Sequence, residues 1–320
     1  MGSDNTVLVT GANGFVGRAL CAVLAASDRG FRRTVRAPHP DFPGAVAVGE
    51  VGPDTDWRAA LDGVHCVVHL VSRTHVLRET AADPLAEYRR INVEGTLRLA
   101  RQAGAAGVRR LVFVSSVKVN GEATAIPYTE DDAPRPEDAY GLTKWEAEQA
   151  LARVAAETGL EVVVLRPPLV YGPGVKGNFL RLMEFVGRGV PLPLASVANL
   201  RSLVYVGNLV DAIARAIDAP QAAGRTYLVS DGEDVSTPGL VRALAQALGV
   251  KARLFPCPPA ALKFAAALTG KSAEIMRLTG SLQVSTARIR DELGWRPPFT
   301  LAHGLERTAQ WRLGKADTHA

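Results

Sequence analysis

Cysteine is scarce in this chain. Cys21, Cys66 and Cys257 are the three thiols in 320 residues, an odd and scattered set without metal-ligand spacing, which favours a reduced, cytoplasmic setting over a disulfide framework. Long apolar runs are missing too: none reaches the roughly 20 residues of a bilayer span, so no membrane insertion is expected. The N-terminus runs straight into a strand candidate, without the charged-then-apolar pattern of a secretion signal. Charge of one sign is not concentrated anywhere. The net charge of +5 is spread along the chain, with Arg32-Arg33, Arg89-Arg90 and Arg109-Arg110 as the densest points, and this suits a small polyanion better than nucleic acid. His65 and His69 share a strand face, but no acid or cysteine is spaced to complete a metal site, so both read as structural and no metal is expected. No internal repeat or low-complexity tract is present.

What the chain does have is 47% hydrophobic residues and, near its start, the stretch Val7-Leu8-Val9-Thr10-Gly11-Ala12-Asn13-Gly14-Phe15-Val16-Gly17. An unbroken apolar run predicts a strand buried on both faces, and the residues after the glycines resume at helical spacing. Gly11 suits a turn at the strand end, Gly14 a close backbone approach to a pyrophosphate, and Gly17 tight packing of helix on sheet. The helix N-terminus then faces the phosphates. The spacing is Gly-x-x-Gly-x-x-Gly rather than Gly-x-Gly-x-x-Gly, so a glycine-rich loop without a ligand stays open beside the dinucleotide reading.

Further strands are predicted at Phe31–Arg36, Ala45–Val48, Val64–Val71, Val108–Ser115 and Leu160–Arg166. They alternate with helices at Phe15–Ala26, Trp57–Leu61, Pro84–Ala103 and Asp138–Thr158. This alternation predicts an α/β fold, a Rossmann-type doubly wound parallel sheet. Beyond Pro167-Pro168, glycine and proline cluster and periodicity loosens. We therefore expect a dinucleotide-binding domain over 1–166, a smaller substrate-binding lobe over 167–320, and a strand and helix within 201–220 that return to the first domain. At the end of the second strand, where an acid would accept from the ribose 2′-hydroxyl of NAD, stands Arg36, with Arg33 nearby. Arginine matches a 2′-phosphate, which favours NADP, with NAD possible and solvated arginines as the bland reading.

Tyr140 and Lys144 are one turn apart on one helix face. A buried Lys144, with a cationic nicotinamide, is expected to bring Tyr140 down from about 10 towards working pH, making it an acid or base. Ser115-Ser116 ends a strand at the carboxyl edge of the sheet, where a hydroxyl can hold a carbonyl oxygen. Tyr-x-x-x-Lys alone is equally an ordinary helix; in this order with the glycine turn and the serines it is specific.

Together with Asn92 in Ile91-Asn92-Val93-Glu94-Gly95-Thr96, the strand end His69-Leu70-Val71 and Arg166-Pro167-Pro168-Leu169-Val170-Tyr171-Gly172-Pro173-Gly174, these motifs resemble the extended short-chain dehydrogenase/reductases of the nucleotide-sugar epimerase/dehydratase type over nearly the whole chain. The resemblance implies Ser116, Tyr140 and Lys144 as catalytic residues, with Ser116 selected over Ser115 by its distance from Val119-Asn120-Gly121, where Asn120 replaces the usual tyrosine. It implies cofactor contacts from Gly11, Asn13, Gly14, Phe15, Val16, Gly17, Arg36, Leu70, Val71, Ser115, Tyr140, Lys144 and Pro167. It implies a nucleotide-diphosphate sugar held by Ser116, Asn178, Arg201 and Arg277, against a helix cap for Asn178 and surface charge for the arginines. A homodimer through the two long helices is also implied.

Four functions are compatible with the resemblance. Reduction at C4 of UDP-4-keto-6-deoxy-N-acetylhexosamine, for surface polysaccharide, is the one Arg36 and the stretch Ser115–Glu122 favour. A UDP-hexose 4-epimerase would use the same residues with tightly bound NAD. A 4,6-dehydratase is disfavoured because Ser116-Val117-Lys118 replaces Thr-Asp-Glu. A non-catalytic dinucleotide sensor is disfavoured because Ser116, Tyr140 and Lys144 are intact.

Overall fold

The computed structural model describes residues 5–27, 29–74, 83–268 and 272–314. The first half alternates strand and helix: β1 (Val7–Thr10), α1 (Phe15–Ala25), β2 (Phe31–Val35), β3 (Val46–Ala47), α2 (Arg58–Leu61), β4 (Cys66–His69), α3 (Pro84–Arg89), α4 (Thr96–Ala105), β5 (Arg110–Val114), α5 (Ala139–Thr158) and β6 (Glu161–Arg166). The second half holds β7 (Leu169–Tyr171), α6 (Gly177–Gly187), β8 (Leu203–Tyr205), α7 (Val206–Asp218), β9 (Thr226–Leu228), α8 (Thr237–Leu248), α9 (Pro259–Leu268), α10 (Ser272–Thr279), α11 (Ala287–Leu293) and α12 (Leu301–Arg312).

Seven strands form one sheet in the order β3-β2-β1-β4-β5-β6-β9, every pair parallel. The sheet is the doubly wound Rossmann-type sheet expected from the alternation. In β1 the period-two geometry sends Val7 and Val9 to one core and Leu8 to the other. The first core also contains Leu20 and Leu24 of α1 and Ile213 of α7. The second contains Leu99 and Ala103 of α4 with Leu151 and Val154 of α5. With both faces covered, the strand carries no polar position, which is why its sequence is an unbroken apolar run.

Three expectations are corrected. The helix over 84–103 is interrupted by a π-helical turn at Arg90–Gly95; the wider turn brings Asn92 to full burial. The strand within 201–220 does not join the large sheet: Leu203–Tyr205 pairs with Leu169–Tyr171 in a separate two-stranded sheet, while α7 joins the core beside α1. The edge beside β6 is filled instead by Thr226–Leu228, three residues too short to announce a strand. The expected boundary after Arg166 falls between β6 of the large sheet and β7 of the small one.

Candidate active site

Two positions of the first βα turn, Gly11 and Gly17, require glycine. Gly11 has φ +68°, a left-handed value that disfavours other residues, and a Cβ on it would lie 3.3 Å from Val71 Cγ2. A Cβ on Gly17 would lie 2.2 Å from the Gly11 carbonyl oxygen, inside any permitted contact. Gly14 caps α1 in an extended conformation, and its amide donates to Gly11 O at 2.9 Å. The opening turn of α1, formed by Phe15, Val16 and Gly17, thus presents backbone amides beside a side-chain-free cradle, the arrangement that suits a pyrophosphate. Asn13 is exposed at its rim, and Leu70 and Val71 are half-buried beside it. The Leu70 amide donates to Thr10 Oγ1 at 3.1 Å, ending β4 where the cradle begins.

Arg36 follows β2 directly. Its side chain is 71% exposed and pairs with Glu50 at 3.0 Å, whereas Arg33 donates to the Pro43 carbonyl at 2.7 Å.

At the carboxyl edge of β5 and β4, Ser116, Ser72 and Tyr140 come together. Asp138 caps α5 by accepting the Gly141 amide at 2.7 Å, fixing Tyr140 in the first turn. The Tyr140 phenol is hydrogen-bonded with Ser116 and Ser72. Burial, and then the Asp138 carboxylate, hold that phenol above its ordinary 10, while the two serines pull it down. One turn on, Lys144 Nζ donates to the Val114 carbonyl at 2.8 Å and stands 4.3 Å from the centre of the Phe113 ring. Burial pushes the lysine down to about 7, with Glu148 acting the other way. Among the protein's own groups, desolvation raises the phenol and brings the lysine's titration to neutral pH; the expected lowering of Tyr140 includes a cationic nicotinamide beside it. His69 is fully buried between Thr10 Oγ1 (2.8 Å) and Thr96 Oγ1 (3.0 Å). Burial, then Lys144, lowers its imidazole to about 3, leaving it neutral.

Ser72 escaped the reading of the sequence, and Asn92 was singled out there as a motif residue without a role. Ser72 sits just past β4 and donates to Asn92 Oδ1 at 3.1 Å. Asn92 also accepts the Arg73 amide at 2.7 Å and donates to Thr143 Oγ1 at 3.0 Å. The π-turn that buries Asn92 thereby locks the strand end to α5. Ser115, expected against the cofactor, donates its hydroxyl to Glu148. Pro167 is buried, and its carbonyl accepts the Val117 amide at 2.9 Å, tying β6 to the segment after Ser116.

Arg201 and Arg277, expected at a diphosphate, lie near one another and contact protein acceptors. Arg201 donates to the carbonyls of Arg277 (2.9 Å) and Gly280 (3.0 Å), and Arg277 lies 3.8 Å from Glu122. Burial lowers the Arg201 guanidinium. Asn178 is exposed in the first turn of α6, where Lys176 holds the cap position. Among the described residues no group of three His, Cys, Asp or Glu side chains could hold a metal, and no helix is long and apolar enough to cross a membrane.

The sequence model of the NAD dependent epimerase/dehydratase family matches residues 7–230. A UDP-glucose 4-epimerase of Vibrio cholerae is 46% identical over 310 residues, covering 95% of this chain and 94% of that protein. Among solved structures, MoeE5 in complex with UDP-glucuronic acid and NAD superposes with a TM-score of 0.78 at 27% identity, covering 97% of this chain and 99% of that one. RMD from Pseudomonas aeruginosa complexed with NADPH gives 0.75 at 25% identity, with 97% and 99% covered.

Proposed function

The chain belongs to the NAD dependent epimerase/dehydratase family, and from that premise we propose that it catalyses hydride transfer at C4 of a UDP-sugar, with Tyr140 as the proton-transferring residue. The observation that carries this reading is the Tyr140 phenol hydrogen-bonded with Ser116, one helical turn from Lys144, at the open edge of the sheet beside the glycine cradle. A nicotinamide dinucleotide, when bound, supplies the hydride acceptor and donor. The cradle suits its pyrophosphate: exposed Gly14 carries no side chain at the N-terminus of α1, and Gly17 lets that helix pack directly on the Gly11–Ala12 backbone.

Ser116 holds the C4 oxygen by hydrogen bond and Tyr140 removes or returns that oxygen's proton. Lys144, fixed by the Val114 carbonyl and positively charged below about pH 7, supports negative charge on the phenol oxygen. Arg201 and Arg277 are the residues we assign to the diphosphate, where paired guanidinium groups are well matched to phosphate oxygens. Asn178, at the start of α6, is assigned to the same ligand.

Reversible oxidation and reduction at C4, a 4-epimerisation of a UDP-hexose, is the outcome supported by the Vibrio cholerae relative. Net reduction of a UDP-4-keto-6-deoxy-N-acetylhexosamine is the second reading, favoured by Arg36 at the ribose end of β2, where an acid would select NAD. One experiment separates them. Purified protein is given UDP-glucose without added cofactor, and separately UDP-4-keto-6-deoxy-N-acetylglucosamine with NADPH or NADH, with Tyr140→Phe as control. Appearance of UDP-galactose supports the epimerase; consumption of reduced nicotinamide supports the reductase; the absence of both overturns the C4 assignment. A homodimer through α4 and α5 completes the proposal, and solution mass by light scattering tests it.

A further inference from the structure

Behind Lys144, the same face of α5 carries a third functional side chain. Tyr140, Lys144 and Glu148 follow one another at intervals of four, so they form one column on the helix. Glu148 is 7% exposed. Its carboxylate accepts from Ser115 Oγ at the end of β5 and from two nitrogens of Arg166 at the end of β6, Nε at 3.0 Å and Nη2 at 2.6 Å. Both side chains of this ion pair are 5% exposed. Arg166 Nη1 continues to Asn120 Oδ1 at 3.1 Å, and Asn120 Nδ2 to the Thr129 carbonyl at 3.1 Å.

A buried ion pair is a poor device for stability alone, since desolvation offsets most of the attraction and an apolar pair of similar volume does as well. Its placement gives it a different role. The groups facing the Lys144 ammonium are Tyr140 and Glu148 on α5, the Phe113 ring and Val114 carbonyl on β5, and the neutral His69 on β4. Arg166 on β6 is ion-paired with Glu148. Glu148 is the carboxylate of that set, and Arg166 is its partner.

We propose that Glu148 and Arg166 are positioning residues for the Tyr140–Lys144 pair. Glu148 supplies the counter-charge that holds the Lys144 ammonium protonated, Arg166 partly cancels that charge, and the pair together with Asn120 locks the strand end carrying Ser116 against α5. The catalytic consequence rests on the acid–base reading of Tyr140 and Lys144 given above; the electrostatic one does not.

The test follows Lys144 directly, by 13C NMR titration of labelled lysine side chains in the purified protein, with the resonance assigned by its loss in Lys144→Met. Glu148→Gln is expected to move the Lys144 titration to lower pH and Arg166→Gln to higher pH, each by about one unit or more. Arg166→Lys, which keeps the charge and is the gentlest of the three on the fold, is expected to leave it at the wild-type position. Shifts of the same sign in both glutamine variants, no shift in either, or an Arg166→Lys shift as large as that of Arg166→Gln would overturn the proposal. The pH profile of turnover separates the two readings. If the NMR titration moves in opposite directions while the profile stays fixed, the charge-setting role stands and the acid–base assignment of Lys144 falls.

Discussion

The Lys144 ammonium lies 5.9 Å from the centre of the Tyr140 ring while donating to the Val114 carbonyl at 2.8 Å. The cation is therefore held by the sheet, and the phenol by the two serines, Ser116 and Ser72. Because the two are anchored separately, the proton donor can be deleted without displacing the charge beside it. Tyr140→Phe is expected to cut kcat by roughly 10²- to 10⁴-fold, the usual contribution of a positioned general acid, with little change in KM. Steady-state kinetics on the substrate that turns over checks this, and a variant retaining more than a tenth of the wild-type rate would remove Tyr140 from the mechanism.

Lys144 also sets a pH dependence of stability. Its titration falls from an ordinary 10.5 to about 7 on folding, so between those values the unfolded chain binds a proton that the native state does not. Stability then rises with pH across that window, by up to about 1.4 kcal/mol per unit, and the cost is fully present below about pH 7. Lys144→Met abolishes this contribution. The variant is expected to gain stability over wild type at pH 6 to 7 and to lose that advantage steadily towards pH 10, as read by urea unfolding at several pH values. A stability difference independent of pH would show that the lysine is not desolvated as described.

The parts of the site legible in the sequence are those whose geometry is local. Gly11, Gly14 and Gly17 are read from spacing because the turn and the first helical turn are built by neighbouring residues. Tyr140 and Lys144 are read from their interval of four. Ser72 and Glu148 are not legible in the same way, and Asn92 is legible as a motif residue but not in its role, because these roles depend on which strand end meets which helix. Asn92 owes its position to the π-turn at Arg90–Gly95, and nothing in Arg-Ile-Asn-Val-Glu-Gly marks the extra residue in that turn. Gly95 gives a partial signal after the fact: a Cβ there would lie 2.7 Å from Val51 Cγ1, so the chain passes too close for any side chain. Thr226–Leu228 escaped because three residues carry no usable period, although they close the edge of the seven-stranded sheet. Ser115 and Ser116 point apart because adjacent residues alternate direction at a strand end, so that Ser115 meets Glu148 and Ser116 meets Tyr140.

The glycine cradle makes a graded prediction. A Cβ on Gly17 falls 2.2 Å from Gly11 O and 2.8 Å from Ala12 Cα, both backbone atoms of a packed strand and turn. Relief requires α1 to lift from β1, so Gly17→Ala is expected to destabilise by about 1–3 kcal/mol or more, the range for overpacking a core. At Gly14 the nearest atom is 3.1 Å away, again Gly11 O, and a small shift accommodates it. Gly14→Ala is expected to fold close to wild type and yet weaken dinucleotide binding. Thermal unfolding and fluorescence titration with reduced nicotinamide dinucleotide measure the two effects, and equal stability losses in both variants would refute the distinction.

Arg36 offers the clearest way to learn which dinucleotide the protein prefers. Its ion pair with Glu50 is exposed on both sides, at 71% and 63%, and such pairs contribute only about 0–1 kcal/mol. A 2′-phosphate, more highly charged than a carboxylate, would displace Glu50 at little cost. Charge-assisted hydrogen bonds of this kind contribute about 1.5–3 kcal/mol, so Arg36→Ala is expected to weaken NADPH by about tenfold or more and leave NADH nearly unchanged. Glu50→Gln removes the competing acceptor and is expected to act in the opposite direction, tightening NADPH alone. Fluorescence titrations of both dinucleotides against wild type and the two variants decide the matter. If Arg36→Ala weakens both dinucleotides equally, the arginine does not read the ribose phosphate, and the reading that leans on it, net reduction with exchangeable NADPH, loses its support in favour of the epimerase.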